Sequence, residues 1–207
     1  MEIWHCKDAR SLRAVWTAEE LGLDYTLHLL AFPPRFTEPG YLDINPLGTV
    51  PYLVDGDTRM TESSAIVQYL AQTYGAGTLA TTPDEAAYGD YLNWMFHSDA
   101  TLTFPLTLVL RYGRFEPKDR RQQQVVDDYT QWFFSRLKLV NQRVADHDFL
   151  CADRFTGADI AVGYALFLAE SIGLAAHFKP RTRAYLDRLK ARDAFRRAQA
   201  PGDSFAR

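Results

Sequence analysis

Strand signals are confined to the first eighty residues of a 207-residue chain. Short runs rich in β-branched and aromatic residues occur at EIWHC (2–6), YTLHLL (25–30), PYLVD and TRMT, the last two flanking a D-G-D hairpin turn. Two helical patterns interrupt them. SLRAVWTAEELGL (11–23) carries Leu12, Val15, Trp16 and Leu21 on one side and stops at Gly22; SSAIVQYLAQTYG (63–75) carries Ile66, Val67, Leu70 and Tyr74 and stops at Gly75. FPPRFTEPGYLDINPLG (32–48) is loop with at most a helical turn. The order is β-α-β, loop, β-β-α. A parallel pair needs a crossover and an antiparallel pair only a hairpin, so this order predicts a mixed four-stranded sheet with helices on its faces.

Beyond residue 78 the period changes. ATTPDEA (80–86) reads as a linker into a helix start, with Pro83 and two acids in the first turn. A helical pattern over 84–104 meets Pro105, which lacks an amide and predicts a kink or a break. From 119 to 145, Val126, Tyr129, Phe133, Leu137, Val140 and Val144 mark one helical face. Residues 157–172 are almost wholly apolar and predict a buried central helix; 185–200 reads as two short amphipathic helices. The expected domains are therefore 1–78, α/β, and 84–207, all-α. FTGADI (155–160) has the spacing of a capping box, with Thr156 and Asp159 answering each other's amides.

Composition excludes several functions. A net charge of −3, with the basic residues of 111–121 and 181–197 interleaved with acids and apolar residues, argues against nucleic acid as a partner. No apolar run approaches the roughly 20 residues that cross a bilayer, so no membrane partner is expected. MEIWHCKDAR lacks the apolar core of a signal peptide. Cys6 and Cys151 form no metal-ligand spacing. A cytoplasmic setting, free thiols and no metal are the expectation.

The stretch VPYLVDGDTRMTES (50–63) sets an acid and a hydroxyl, Glu62 and Ser63, at the door of a helix. Ser63 can be a plain N-cap and Glu62 a favourable first-turn acid. Alternatively, the pair matches a zwitterion: helix amides and a hydroxyl for a carboxylate, an acid for an ammonium.

NPLGTVPYLVDGDTRMTESSAIVQYL (45–70), RSLRAVWTAEELGL (10–23), FTGADIA and ARDAFRRA together resemble the cytosolic glutathione transferases of bacterial type, over essentially the whole chain. The resemblance implies an α/β thioredoxin-like N-terminal domain, an all-α C-terminal domain, a homodimer, glutathione as co-substrate and a hydrophobic electrophile as second substrate. It assigns the γ-glutamyl ammonium to Glu62 and its carboxylate to Ser63. It makes Val50–Pro51 cis, so that the Val50 main chain pairs with the cysteinyl backbone. Thr49 stands where many relatives have a lysine. Arg35 meets the glycyl carboxylate or is a solvated loop charge. Asp99 reaches the ammonium held by the neighbouring subunit.

The thiolate-stabilising group departs from the pattern. The usual serine position falls on Ala9 and the usual cysteine on Arg10, and no tyrosine is near. Ser11 either donates to the sulfur or caps the first helix; Arg10 either supplies charge or projects to solvent. His5 and Cys6 read as packed residues. Trp94, Phe96, His97, Leu108, Arg111 and Tyr112 are candidates for the electrophile pocket, with at least half expected in the core. Conjugation is the expected activity. Glutathione-dependent peroxide or disulfide reduction is one alternative; glutathione binding without catalysis is another, which Ala9 keeps open.

Overall fold

A computed structural model of the chain describes residues 1–75 and 77–201. Two compact units divide it: Met1–Ala80 with the chain from Leu189 onward, and Thr81–Arg188.

The first unit runs β1 (Glu2–His5), α1 (Leu12–Leu21), β2 (Thr26–Leu29), α2 (Pro34–Thr37), α3 (Tyr41–Ile44), β3 (Tyr52–Asp55), β4 (Thr58–Met60) and α4 (Ser63–Tyr74). Its sheet is ordered β2-β1-β3-β4, with β1 parallel to β2 and the other pairs antiparallel. This is the mixed sheet that the element order predicts and the thioredoxin-like arrangement that the resemblance implies. Strand alternation divides the side chains between two faces. Ile3 lies between Leu27 and Leu53 in register, and Ile3 and Leu53 join the buried Leu12, Val15 and Trp16 of α1 and Ile66, Val67 and Leu70 of α4 in the core. On the opposite face Trp4 stacks on His28, with ring centroids 4.3 Å apart. Gly22 ends α1 in the left-handed conformation, φ 62°, and the Leu23 amide returns to the Ala18 carbonyl at 3.0 Å. The proline-rich loop holds two single helical turns, α2 and α3. The Phe32–Pro33 and Val50–Pro51 bonds are cis.

The second unit is helical: α5 (Tyr88–Phe96), α6 (Phe104–Leu110), α7 (Gln123–Asp146), α8 (Gly157–Ser171) and most of α9 (Pro180–Lys190). The first of these starts at Tyr88, not at 84, and the α-helical run is interrupted ahead of Pro105, which sits in the first turn of α6. There the chain widens into a π turn over His97–Thr103. Hydroxyls answer carbonyls through this stretch: Ser98 Oγ donates to Met95 O at 2.7 Å, Thr103 Oγ1 to Ser98 O at 2.6 Å, and Thr107 Oγ1 to Thr103 O at 3.0 Å. A second π turn spans Arg111–Phe115. The helix α9 begins at Pro180, where proline suits a first turn, rather than at 185.

The capping box at the start of α8 is formed, and it extends into a buried network. The Thr156 amide donates to Asp159 Oδ2 at 2.9 Å; the Leu150 amide and the Tyr185 hydroxyl donate to Oδ1 at 3.0 and 2.7 Å. Burial pushes the Asp159 carboxyl up, and these donors oppose the shift.

The chain from Leu189 returns to the first unit, which differs from the expected single helical stretch 84–207. Its helix α10 (Asp193–Gln199) is anchored on α1. Arg192 forks onto Glu20 at 2.6 and 2.8 Å, Arg197 Nε donates to Glu19 at 2.6 Å, and Phe195 packs edge-on to Trp16 with centroids 4.9 Å apart. Charges on 19, 20, 192 and 197 thus serve a helix contact that apolar periodicity does not reveal.

Asp159→Ala strands two amides and a hydroxyl in the core and should cost roughly 3 kcal/mol. Thr156→Ala should cost about 1 kcal/mol. Urea unfolding of the two variants checks the order; an Asp159→Ala protein as stable as the parent would contradict the network.

Candidate functional site

The start of α4 carries the first part of the site. Glu62 occupies the N-cap with extended backbone, φ −87° and ψ 114°, yet its carboxylate makes no capping bond. It is exposed and has no partner among the described residues. Ser63 is the first helical residue, not the cap. Its Oγ accepts from Arg13 Nη1 at 2.9 Å, and Arg13 is fully buried on α1. The Ser63 hydroxyl therefore keeps its own hydrogen for another acceptor. Ser63 is only 2% exposed, so a group arriving here meets chiefly the first-turn amides, which have no intrahelical partner, and Glu62.

The turn into β3 carries the second part. The Thr49 carbonyl accepts from the Tyr41 hydroxyl at 2.7 Å and from Asn45 Nδ2 at 2.8 Å. The Asn45 side-chain oxygen in turn accepts from the Leu47 amide at 3.1 Å. The Thr49 side chain stays exposed. Val50, next in the chain, has no hydrogen-bond partner for its amide or carbonyl among the described residues. Gly48 has φ +58°, and a Cβ on it would lie 2.6 Å from Arg35 Cβ and 2.9 Å from Leu42 Cδ2. Only glycine fits, and this close approach sets Arg35 against the turn. The Arg35 guanidinium is exposed and lies 4.7 Å from the Phe36 ring centroid. The fold thus gathers Arg35, Thr49, Val50 and Pro51 into one stretch.

The third part, the turn before α1, corrects an expectation. Ser11 is fully buried. Its Oγ lies 2.8 Å from His5 Nδ1, donates to the Cys6 carbonyl at 3.2 Å and accepts from the Cys6 amide at 3.2 Å. It makes no capping bond to α1. Facing inward, it fills neither expected role, sulfur donor or helix cap. Arg10 is half-buried and Ala9 buried. The Ser11 amide has no partner among the described residues. The neighbouring thiol cannot serve as nucleophile: burial, then Glu38, pushes Cys6 up to about 12. Burial, then Lys7, lowers His5 from 6.5 to about 4, so its imidazole is neutral at physiological pH.

Residues 9–73 match the glutathione S-transferase N-terminal domain family. Glutathione S-transferase F10 of Arabidopsis thaliana is 29% identical over 205 residues, covering 93% of each chain. Maleylacetoacetate isomerase of Pseudomonas aeruginosa is 29% identical over 186 residues, covering 86% of this chain and 84% of the relative. The solved ternary complex of BphK, a bacterial GST, superposes with a TM-score of 0.84 at 24% identity, over 96% of this chain and 98% of that one. Along most of its length the chain is similar to glutathione S-transferases, and its residues 9–73 match their N-terminal domain.

The second unit departs from expectation in its candidate pocket residues. Of the six, only Trp94 is buried, edge-on to His97 with centroids 5.5 Å apart. His97 is half-buried, and burial lowers its pKa. Arg111 is exposed, donates to Glu116 at 2.9 Å and lies 5.6 Å from the Tyr112 centroid. Leu108 and Tyr112 are half-buried and Phe96 is exposed. Asp99 lies half-buried in the first π turn.

Sequence reasoning missed Arg13, Tyr41 and Asn45. Arg13 had a visible signal: a lone cation beside Leu12 and two positions before Val15 in an otherwise apolar first turn. Nothing in the sequence pairs Tyr41 or Asn45 with Thr49. Among the described residues no cluster of His, Cys, Asp or Glu could hold a metal ion, and no helix is long and apolar enough to cross a membrane.

His5 sets an acid limit on stability. Between pH 6.5 and about 4 the unfolded chain binds a proton that the folded chain excludes, so stability falls as pH drops through this window. The full effect is about 3 kcal/mol. His5→Gln should flatten the acid limb of a melting-temperature profile; an unchanged limb would remove this role.

Proposed function

We propose that the protein binds glutathione in its first unit and transfers the tripeptide's thiolate to a hydrophobic electrophile. The observation that carries this is Glu62: an exposed carboxylate without a partner among the described residues, fixed at the N-terminus of α4. A carboxylate there gains from a nearby ammonium, and the amides gain from a second carboxylate. The γ-glutamyl end of glutathione supplies both. Arg13, behind Ser63, adds a full positive charge on the carboxylate side. The unpaired main chain of Val50 suits the cysteinyl backbone as an added strand would. Arg35 and the Thr49 hydroxyl are assigned to the glycyl carboxylate, and His97, Arg111 and Tyr112 to the electrophile. A homodimer, in which Asp99 meets the neighbouring subunit's ligand, and a cytoplasmic setting complete the proposal.

The sulfur needs a donor. Lowering a thiol from about 8.5 by about two units takes roughly 2.7 kcal/mol. A helix N-terminus supplies up to about 2 kcal/mol, so the start of α1 falls short alone. With Ser11 turned inward, Arg10 and the Ser11 amide carry the remainder. Disulfide exchange through the protein is disfavoured, since burial raises both Cys6 and Cys151. The inward Ser11 favours a second reading, glutathione held without turnover.

Titration calorimetry with glutathione, followed by turnover against a panel of aryl and alkyl electrophiles, separates these outcomes. Glu62→Ala should weaken binding by about 10–100-fold, the loss of one charge-assisted contact, with an unchanged melting temperature. Parental affinity in Glu62→Ala would refute the assignment. Tight binding with no turnover across the panel would select the non-catalytic reading.

A further inference from the structure

The helix α10 has no role in the account so far, yet it touches the turn where the sulfur would be activated. Asp8 adopts φ 64°, a left-handed conformation that costs a non-glycine residue about 1 kcal/mol. Glycine would relieve this. The chain instead keeps a carboxylate, 5% exposed, and Gln199 Nε2 on α10 donates to Asp8 Oδ1. Gln199 is itself fixed by the helix that carries it, which the Arg192–Glu20 and Arg197–Glu19 pairs and the Phe195–Trp16 contact hold on α1. Asp8 is the third residue of the turn closed by the Ala9 amide on the Cys6 carbonyl at 3.1 Å. Its backbone angles therefore set the direction of the next amides, those of Arg10 and Ser11.

From this we propose that Gln199 is a positioning residue. Through Asp8 it orients the amides at the start of α1 that stabilise the glutathione thiolate. The proposal rests on the glutathione-transferring reading above. It explains why an acid occupies a conformation that glycine would adopt without strain. Amides oriented before the ligand arrives stabilise developing charge without reorganisation, and small misplacements are costly. Binding of the tripeptide, held by Glu62, Ser63 and Val50, does not depend on this link.

The test uses the full-length protein. Bound-thiol pKa is read from the ultraviolet thiolate absorbance against pH, affinity from calorimetry, and kcat and KM from steady-state turnover. Gln199→Ala should leave glutathione affinity within about twofold, raise the bound-thiol pKa by about one unit and lower kcat about tenfold. Asp8→Gly, which removes the carboxylate while relieving the backbone, should do the same without loss of melting temperature. The double variant should be no worse than either single one. Gln199→Lys keeps a donor and should restore most of the loss. If the parent forms the bound thiolate and Gln199→Ala leaves its pKa and kcat unchanged, the positioning role is overturned and the glutathione reading stands. If the parent binds no glutathione, both fall.

Discussion

A buried guanidinium organises the first unit. Arg13 has no exposure, and an ion taken out of water costs several kcal/mol unless it is answered by donors and acceptors. One of its hydrogen bonds reaches from α1 to Ser63, the first residue of α4. That bond fixes the first turn of α4 against a helix already packed on the sheet. It also places a permanent positive charge behind an anion-accepting terminus. Glu62, one residue earlier, is left outside with its carboxylate uncommitted. Stability and recognition thus meet in two consecutive residues, one pulled inward by Arg13 and one left to solvent.

The turn before α1 follows a different logic. His5, Cys6 and Ser11 satisfy one another inside it, and burial keeps the imidazole neutral and the thiol protonated. Groups that look reactive in the sequence are spent on holding the turn. What remains outward is main chain, half-buried Arg10, and amides whose direction depends on Asp8. On the proposed reading, electrostatic stabilisation of a sulfur here would come from backbone geometry, with little contribution from side-chain hydroxyls. Geometry of that kind has to be held from outside the turn, and α10 is the element in position to hold it.

The fold was legible because it rests on period. The crossover helix with Leu12, Val15 and Trp16, the D-G-D hairpin and the apolar run of 157–172 each specify an element, and their order leaves one sheet topology. The Thr156–Asp159 box was legible because both partners lie within one turn. Contacts between residues far apart in sequence were not legible. Arg13 with Ser63, Tyr41 with Thr49, Arg192 with Glu20 and Gln199 with Asp8 leave no periodic trace. Pro105 signalled an interruption but not its form: the hydroxyls of Ser98, Thr103 and Thr107, which accompany the π turn before it, carry no helical pattern. At the candidate site, Glu62 and Val50 were readable from a local motif. Ser11 was not, since its inward rotation depends on His5 across the turn.

The central claim is that the tripeptide lies along the Val50 main chain and ends on the first turn of α4. Amide-resolved NMR with added glutathione tests it most directly. The account predicts saturable shifts that are largest at the amides of Val50, Ser63, Ser64 and Ala65, with smaller ones at Arg10 and Ser11. Saturable shifts centred on other parts of the chain, or no shifts at millimolar glutathione, would contradict it.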